Sequence, residues 1–109
     1  MSMTLNEYQQ QAARTINPRL STHCAEMHAL HEMASEVGEI HGLYQKEYQG
    51  HSIRIDDLKK EVGDLLWGIA EYCTAQGWCL EEIATMNIEK LRARYPEGFT
   101  EERSINREV

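Results

Sequence analysis

The chain lacks a long hydrophobic run and any paired cysteine motif, and both absences argue against whole classes of protein. No apolar stretch approaches the roughly 20 residues of a membrane-spanning helix, and the start of the chain has neither the basic nor the apolar region of a secretory signal. Its three cysteines form no close CxxC pair, which argues against a disulfide framework or a structural zinc site. We therefore expect a soluble, cytoplasmic protein with no membrane partner and with reduced cysteines.

Positive charge is also scarce. Against 18 Asp and Glu there are 11 Lys and Arg, so the 109 residues carry a formal net charge of −7. This balance argues against nucleic acid as a partner, because a polyanion requires a basic surface, and it favours cations. The length suits a single domain over residues 1–109, with a core at about 22–95 and a charged C-terminal tail at 97–109.

Proline is nearly absent, and its two positions divide the chain. Pro18 and Pro96 bracket a long segment rich in helix-forming residues. Apolar residues there recur at spacings of three and four, and no alternating strand pattern competes. The pattern predicts helices from Thr4 to near Asn17 and over about 22–49, 55–76 and 80–95. The expected fold class is all-α, an antiparallel helical bundle of about four helices.

Two of the predicted helices carry clear apolar stripes. The stripe of the second helix is Met27, Leu30, Met33, Val37, Ile40 and Tyr44, and that of the third is Leu58, Val62, Leu65, Ile69 and Cys73. Both are predicted to face the core.

These two helices also repeat one acidic pattern. EVGEI begins at Glu36 and EVGDL begins at Glu61. Because successive residues of an α-helix are rotated by about 100° around its axis, each pair of acids lies along the border of the apolar stripe of its helix. Antiparallel packing therefore directs four carboxylates into one cleft. The four are Glu36, Glu39, Glu61 and Asp64.

Four carboxylates in one cleft require a cation. Like charges a few ångströms apart raise each other's pKa values unless a divalent ion neutralises them. Oxygen ligands without an obligatory His or Cys suit Mg²⁺, for which Mn²⁺ can substitute. Paired acids on a helix are usually only a solvated face, but here both pairs edge a stripe in the same Val-Gly context.

Polar side chains border the stripe of the fourth helix in the same way. Asn87, Lys90 and Arg94 follow i, i+3, i+7 spacing, and Lys46 shares the face of Glu39 on the second helix. Acids that hold metals beside such residues suit a polyphosphate, because the cations neutralise its oxygens while the side chains orient it. For Lys90 and Arg94, a role as partners of the helix dipole is equally open.

Glycines inside the helices predict a second copy of the chain. Gly38, Gly42 and Gly63 each cost about 1 kcal/mol relative to Ala, and close packing compensates for that cost. Ser35, Gly38 and Gly42 form a small-residue face away from the stripe. Since one short chain hardly covers both sides of the second helix, we expect a homo-oligomer, either a homodimer or a homotetramer.

These motifs resemble those of the MazG-like, all-α nucleotide pyrophosphohydrolases, especially the small single-domain members of bacteria and phages. The resemblance runs through EVGE, EVGDLLW and LEEIATMNIEKLRARYPEGF and covers most of residues 25–99. It implies Mg²⁺-dependent hydrolysis of a nucleoside triphosphate, a dNTP or a non-standard NTP, to the monophosphate and pyrophosphate.

The resemblance also implies residue roles. The residues that match the family's catalytic metal ligands are Glu36, Glu39, Glu61 and Asp64. Asn87 and Lys90 match its substrate-side residues, and Arg94 matches less closely. Ser35 stands where many members have a further Glu that activates water, so that step falls here to Glu36, Glu39 or the metal alone.

Other functions remain open. The same motifs fit phosphoribosyl-ATP pyrophosphohydrolases, and Ser35 is compatible with a non-catalytic, cation-binding adaptor or regulatory module. A di-iron carboxylate site requires Glu-x-x-His pairs, which the chain lacks. His28 and His31 are therefore predicted at the surface or an interface, and Trp67 at a subunit contact.

Overall fold

The fold is described by a computed structural model that covers residues 2–107. Its helices are α1 (Leu5–Ala13), α2 (Thr22–Tyr48), α3 (Ile55–Gln76), α4 (Leu80–Arg94) and α5 (Glu101–Ile105). Over that range there is no strand, and none of the helices combines the length and apolarity needed to cross a bilayer. The predicted all-α fold class is confirmed.

Local hydrogen bonds set the helix ends. The Thr4 hydroxyl accepts from the Glu7 amide at 3.0 Å and the Glu7 carboxylate accepts from the Thr4 amide at 3.1 Å, which is a capping box. Ser21 caps α2 through the Cys24 amide at 3.1 Å. Gly77 ends α3 at φ 76°, a left-handed conformation that favours glycine. The predicted bounds of α2, α3 and α4 agree with these ends to within a residue.

Helix α1 ends one turn earlier than predicted. Its last residue is Ala13 rather than Asn17. The Thr15 hydroxyl donates to the Ala12 carbonyl at 2.7 Å and accepts from the Trp67 indole at 2.8 Å. The segment after Ala13 is therefore a turn held against α3, a long-range contact that the local pattern does not contain.

Helices α2 and α3 form an antiparallel hairpin, because only six residues connect them. They lie close together at Gly68, where an added Cβ would lie 2.8 Å from Cγ of Met33. Ala29 and Ala70 are fully buried nearby. Small residues thus allow the two helices to pack closely.

The glycines expected to mediate close packing lie elsewhere. An added Cβ at Gly38, Gly42 or Gly63 would meet no atom within 4 Å. Within residues 2–107, Gly68 and not these three is the packing glycine. Their surfaces are open, so the prediction that a second chain covers them stays a prediction.

The core lies where α1 joins α3 to α4. Ala12, Ala70, Cys73 and Leu80 are buried there, with Trp67 and other partly buried side chains packed around them. The prediction of a core position for Cys73 is confirmed. Trp67 packs against this core and its indole donates to Thr15 in the turn after α1, while the subunit contact predicted for Trp67 stays a prediction.

Side chains of α1 also cap α4. Cys79 occupies the N-cap position, but its side chain accepts no capping hydrogen bond. Instead, Gln9 accepts from the Leu80 amide at 2.7 Å and Asn6 accepts from the Glu81 amide at 3.3 Å. The start of α4 is thereby fixed to α1.

The predicted apolar stripes are only partly buried. Val37 on α2 is 42 % exposed and Val62 on α3 is 55 % exposed. The buried residues of α2 are instead Ala25, Ala29 and Glu36. The stripe prediction is therefore wrong for the two valines and equally for Leu30 and Tyr44, which are also exposed, because alanines rather than large residues supply the close hairpin contact.

The C-terminal segment is not an irregular tail. After α4, Gly98 adopts φ 91° and its amide donates to the Tyr95 carbonyl at 3.1 Å. The rings of Tyr95 and Phe99 lie 5.5 Å apart, and Thr100 caps α5. The expectation of a segment without regular structure is corrected by α5, while positions 108–109 lie outside the described residues.

Candidate metal centre

Three of the four predicted acids meet across the α2–α3 hairpin. Glu36 and Glu39 lie one turn apart on α2, and Glu61 faces them from α3. One carboxylate oxygen of each lies within 4.8 Å of the others. Glu36 is buried, Glu61 is half-buried and Glu39 is exposed. We call these three residues the acidic cluster.

Neighbouring groups change the proton affinities within the acidic cluster. A hydrogen bond with Glu61 and burial raise the pKa of Glu36 to about 8, and the nearby carboxyls of Glu32 and Glu39 contribute. The pKa of Glu39 is raised by a hydrogen bond with Glu61 and by the charge of that residue. The pKa of Glu61 is lowered by the hydrogen bonds it accepts. Without a cation, the cluster holds a proton at neutral pH.

Two oxygens of the acidic cluster lack any hydrogen-bond partner. Oε2 of Glu36 and Oε2 of Glu61 are both buried and accept no hydrogen bond. Buried polar atoms nearly always have a hydrogen-bond partner, so a buried oxygen without one indicates that a ligand of that oxygen is missing. These carboxylate oxygens are suitable ligands for a divalent cation, since Mg²⁺ binds one or two carboxylates together with several waters. The residues present therefore fit a divalent metal.

Asp64, the fourth predicted acid, lies at the rim of the acidic cluster. It follows Glu61 by one turn and is exposed, and it does not belong to the group of three. Its negative charge nonetheless helps to raise the pKa of Glu39 and that of Tyr8 on α1. Asp64 is thus close enough to act electrostatically on the cluster.

The predicted phosphate-binding residues lie apart from the acids within the chain. Lys46, Asn87 and Lys90 are exposed and Arg94 is half-buried. Lys46 stands in the last turn of α2, and the other three lie on α4, whose main contact is with α1. The structure therefore brings the acids together on the hairpin, whereas Asn87, Lys90 and Arg94 lie on a helix that packs mainly on α1.

Two acids of structural interest escaped the sequence analysis. Glu32 precedes Glu36 by one turn and contributes to its raised pKa, and the i, i+4 spacing was the available signal. Glu71 is 1 % exposed, and Nδ1 of His28 donates to its two oxygens at 2.7 and 2.9 Å. A lone acid within the apolar run LLWGIAEYC was the signal there. His28 thus serves as a partner for a buried carboxylate.

The comparison with protein families decides the identity of the fold. The family model for the MazG nucleotide pyrophosphohydrolase domain matches residues 24–99. The chain belongs to the MazG family. No curated protein and no solved structure matches it.

Membership of the MazG family implies a hydrolase of the nucleoside triphosphate pyrophosphohydrolase type. The matched range contains α3, α4 and nearly all of α2, and so includes the acidic cluster and the polar face of α4. MazG domains generally use a divalent metal, which agrees with the unpartnered oxygens of the cluster.

Proposed function

We propose that this MazG domain hydrolyses a nucleoside triphosphate, a dNTP or a non-standard NTP, to the monophosphate and pyrophosphate with Mg²⁺, for which Mn²⁺ can substitute. The observation that carries the proposal is the pair of buried, unpartnered oxygens of Glu36 and Glu61 on adjacent helices. Such oxygens, beside a third acid and inside a MazG domain, support a catalytic metal site rather than a solvated acidic face.

Each acid has a distinct part in this proposal. Glu36, Glu39 and Glu61 hold the metal, and Asp64 completes the set from the rim. When bound, Mg²⁺ neutralises the phosphate oxygens and lowers the pKa of its water. Glu39 is the exposed member of the cluster, so its carboxylate is accessible to the attacking water and is suited to orient it and accept its proton. Ser35 has no carboxyl with which to do so.

The phosphates are assigned to Lys46, Asn87, Lys90 and Arg94. Amide and cationic groups orient a triphosphate by hydrogen bonds and charge. Because α4 packs on α1 rather than over the acids, a second copy of the chain is a means of completing the site.

A homodimer or homotetramer is therefore part of the proposal, together with a cytoplasmic location. The Cα radius of gyration is 17.2 Å, against about 13 Å for a compact chain of this length. Large apolar residues stay exposed on both helices of the hairpin, among them Leu30, Val37 and Val62. An open shape with exposed apolar faces supports a partner subunit.

The test is a screen of nucleotides for pyrophosphate release, with Mg²⁺ and with EDTA. We expect release from one class of nucleotide, its loss in EDTA, and a fall of at least about 100-fold in Glu61→Gln. Glu47→Gln, an exposed change on α2, is the matched control. Metal binding without turnover by wild type would contradict the proposal and select the adaptor alternative. Product analysis separates a nucleoside monophosphate from a phosphoribosyl-AMP product.

A further inference from the structure

A concave site lies at the C-terminal end of α4. It is a cavity of about 550 Å³ between the end of that helix and the segment that follows it. Its polar lining consists of Arg94, Arg103, Arg107, Thr100, Asn106 and Glu102. We call it the arginine cavity.

The chain folds back to build the arginine cavity. Gly98 reverses the backbone at φ 91°, and the contact between the rings of Tyr95 and Phe99, 5.5 Å apart, holds the turn against the end of α4. The Thr100 hydroxyl then accepts from the Arg103 amide at 3.1 Å, which starts α5. Arg103 is in this way placed opposite the last turn of α4, where Arg94 lies.

The charge of the arginine cavity is opposite to that of the chain. Among the described residues, its lining contains three guanidinium groups and one carboxylate, whereas the whole chain has a net charge of −7. Guanidinium groups bind phosphate oxygens in a bidentate manner and keep their charge at any physiological pH. The volume lies within the range of about 300–1,000 Å³ that is usual for small-molecule sites. An anion with several oxygens matches this lining.

The position of Arg94 joins the arginine cavity to the proposed substrate face. Asn87, Lys90 and Arg94 share one face of α4, since their spacing is i, i+3, i+7. That face ends in the cavity, to which the segment after α4 adds Arg103 and Arg107. The row of phosphate-binding residues is thereby extended beyond the residues that the sequence analysis selected.

We propose that the arginine cavity binds a pyrophosphate group, with Arg103 and Arg107 as its binding residues beside Arg94. The choice of pyrophosphate among phosphate anions rests on the proposed function, whereas the binding of an anion does not. The group belongs either to the nucleotide or to the released product, and the two share the chemistry that the arginines recognise.

The test is calorimetric binding of inorganic pyrophosphate in EDTA. Without metal, the acidic cluster repels anions, so the measured binding reports the arginine cavity. We expect Arg103→Gln and Arg107→Gln each to weaken binding by about tenfold. Arg92→Gln is the matched control, because it removes the same charge from the last turn of α4 but outside the cavity, and we expect binding to be nearly unchanged.

Two further measurements keep the test independent of folding and of turnover. Helical circular dichroism checks that each variant is folded, and metal-free binding of pyrophosphate is expected whether or not the chain is a hydrolase. With Mg²⁺ and nucleotide, a raised KM in Arg103→Gln assigns the site to the substrate, and weaker product inhibition by pyrophosphate assigns it to the product. Absence of metal-free binding by wild type, or an equal loss in Arg92→Gln, would overturn the proposal.

Discussion

At the scale of residues, the acidic cluster combines groups that would repel one another if all were ionised. Glu36 and Glu61 lie on facing helices with one buried, unpartnered oxygen each. A proton on Glu36 relieves the repulsion when no cation is present, because its pKa is about 8. A divalent cation and that proton therefore compete for the same oxygens.

This competition predicts how the stability of the metal-free protein depends on pH. Folding raises the pKa of Glu36 from 4.5 to about 8, so the folded state binds this proton more tightly than the unfolded state. The stabilisation is complete below pH 4.5 and is lost as the pH rises through about 8. We expect the Tm in EDTA to fall from pH 5.5 to pH 8.5 more steeply in wild type than in Glu36→Gln. Parallel slopes in differential scanning calorimetry would contradict the shared proton.

A second residue-scale prediction concerns the carboxylate buried in the core. His28 donates to both oxygens of Glu71, so His28→Ala leaves a fully buried carboxylate without a partner. We expect a loss of about 1–3 kcal/mol in the free energy of unfolding, measured with urea. His31→Ala, at an exposed position on the same helix, is the control and should change it by less than about 0.5 kcal/mol. Equal effects of the two substitutions would mean that the hydrogen bonds between His28 and Glu71 contribute nothing to the free energy of unfolding.

At the scale of elements, α1 organises the domain. It has nine residues, yet its side chains cap α4, its turn holds the Trp67 indole, and Ala12 enters the core. The contact between α1 and α4 therefore depends on a few polar bonds as well as on apolar packing.

The capping role of Gln9 is testable. Its side chain accepts from the Leu80 amide at 2.7 Å and donates to the Trp78 carbonyl at 2.8 Å. It also donates to the Thr74 hydroxyl at 3.2 Å. Gln9→Ala removes all three bonds, and we expect it to destabilise the fold by about 1–2 kcal/mol in urea denaturation. Gln10→Ala, on the exposed side of α1, provides the comparison. Hydrogen exchange at the first amides of α4 should accelerate in the Gln9 variant alone.

The sequence predicts the elements better than it predicts their contacts. Prolines, caps and spacing locate α2, α3 and α4, since those signals are local. The repeated acids likewise predict the meeting of Glu36, Glu39 and Glu61. The roles of Gln9 and Trp67 depend on residues more than 50 positions away, and α5 is too short for a periodic signal. No local pattern contains that information.

At the scale of the whole molecule, the chain presents apolar surface that its own helices do not cover. The valines at positions 37 and 62 remain on the open faces of the hairpin. The predicted stripes thus include apolar surface that a single chain leaves exposed, and the proposed second copy would cover it.

Assembly can be tested at one of these valines. Val62→Lys places a charge on the apolar face, where burial of an unpaired ammonium is costly, and we expect it to shift the protein toward a monomer by light scattering after size exclusion. Gln45→Lys, an exposed polar position on α2, adds the same charge and should not change the mass. If wild type is itself monomeric at tens of micromolar, the assembly proposal is wrong.

The bond between Trp67 and Thr15 gives the molecule an intrinsic optical reporter. The Trp67 ring is partly buried and its indole nitrogen is held at 2.8 Å, whereas Trp78 is 48 % exposed. Detachment of α1 from the hairpin would bring the first chromophore into water and shift its emission to longer wavelength, with little change at the second. In a Trp78→Phe variant, fluorescence would therefore follow the docking of the N-terminal helix in real time and without an added dye.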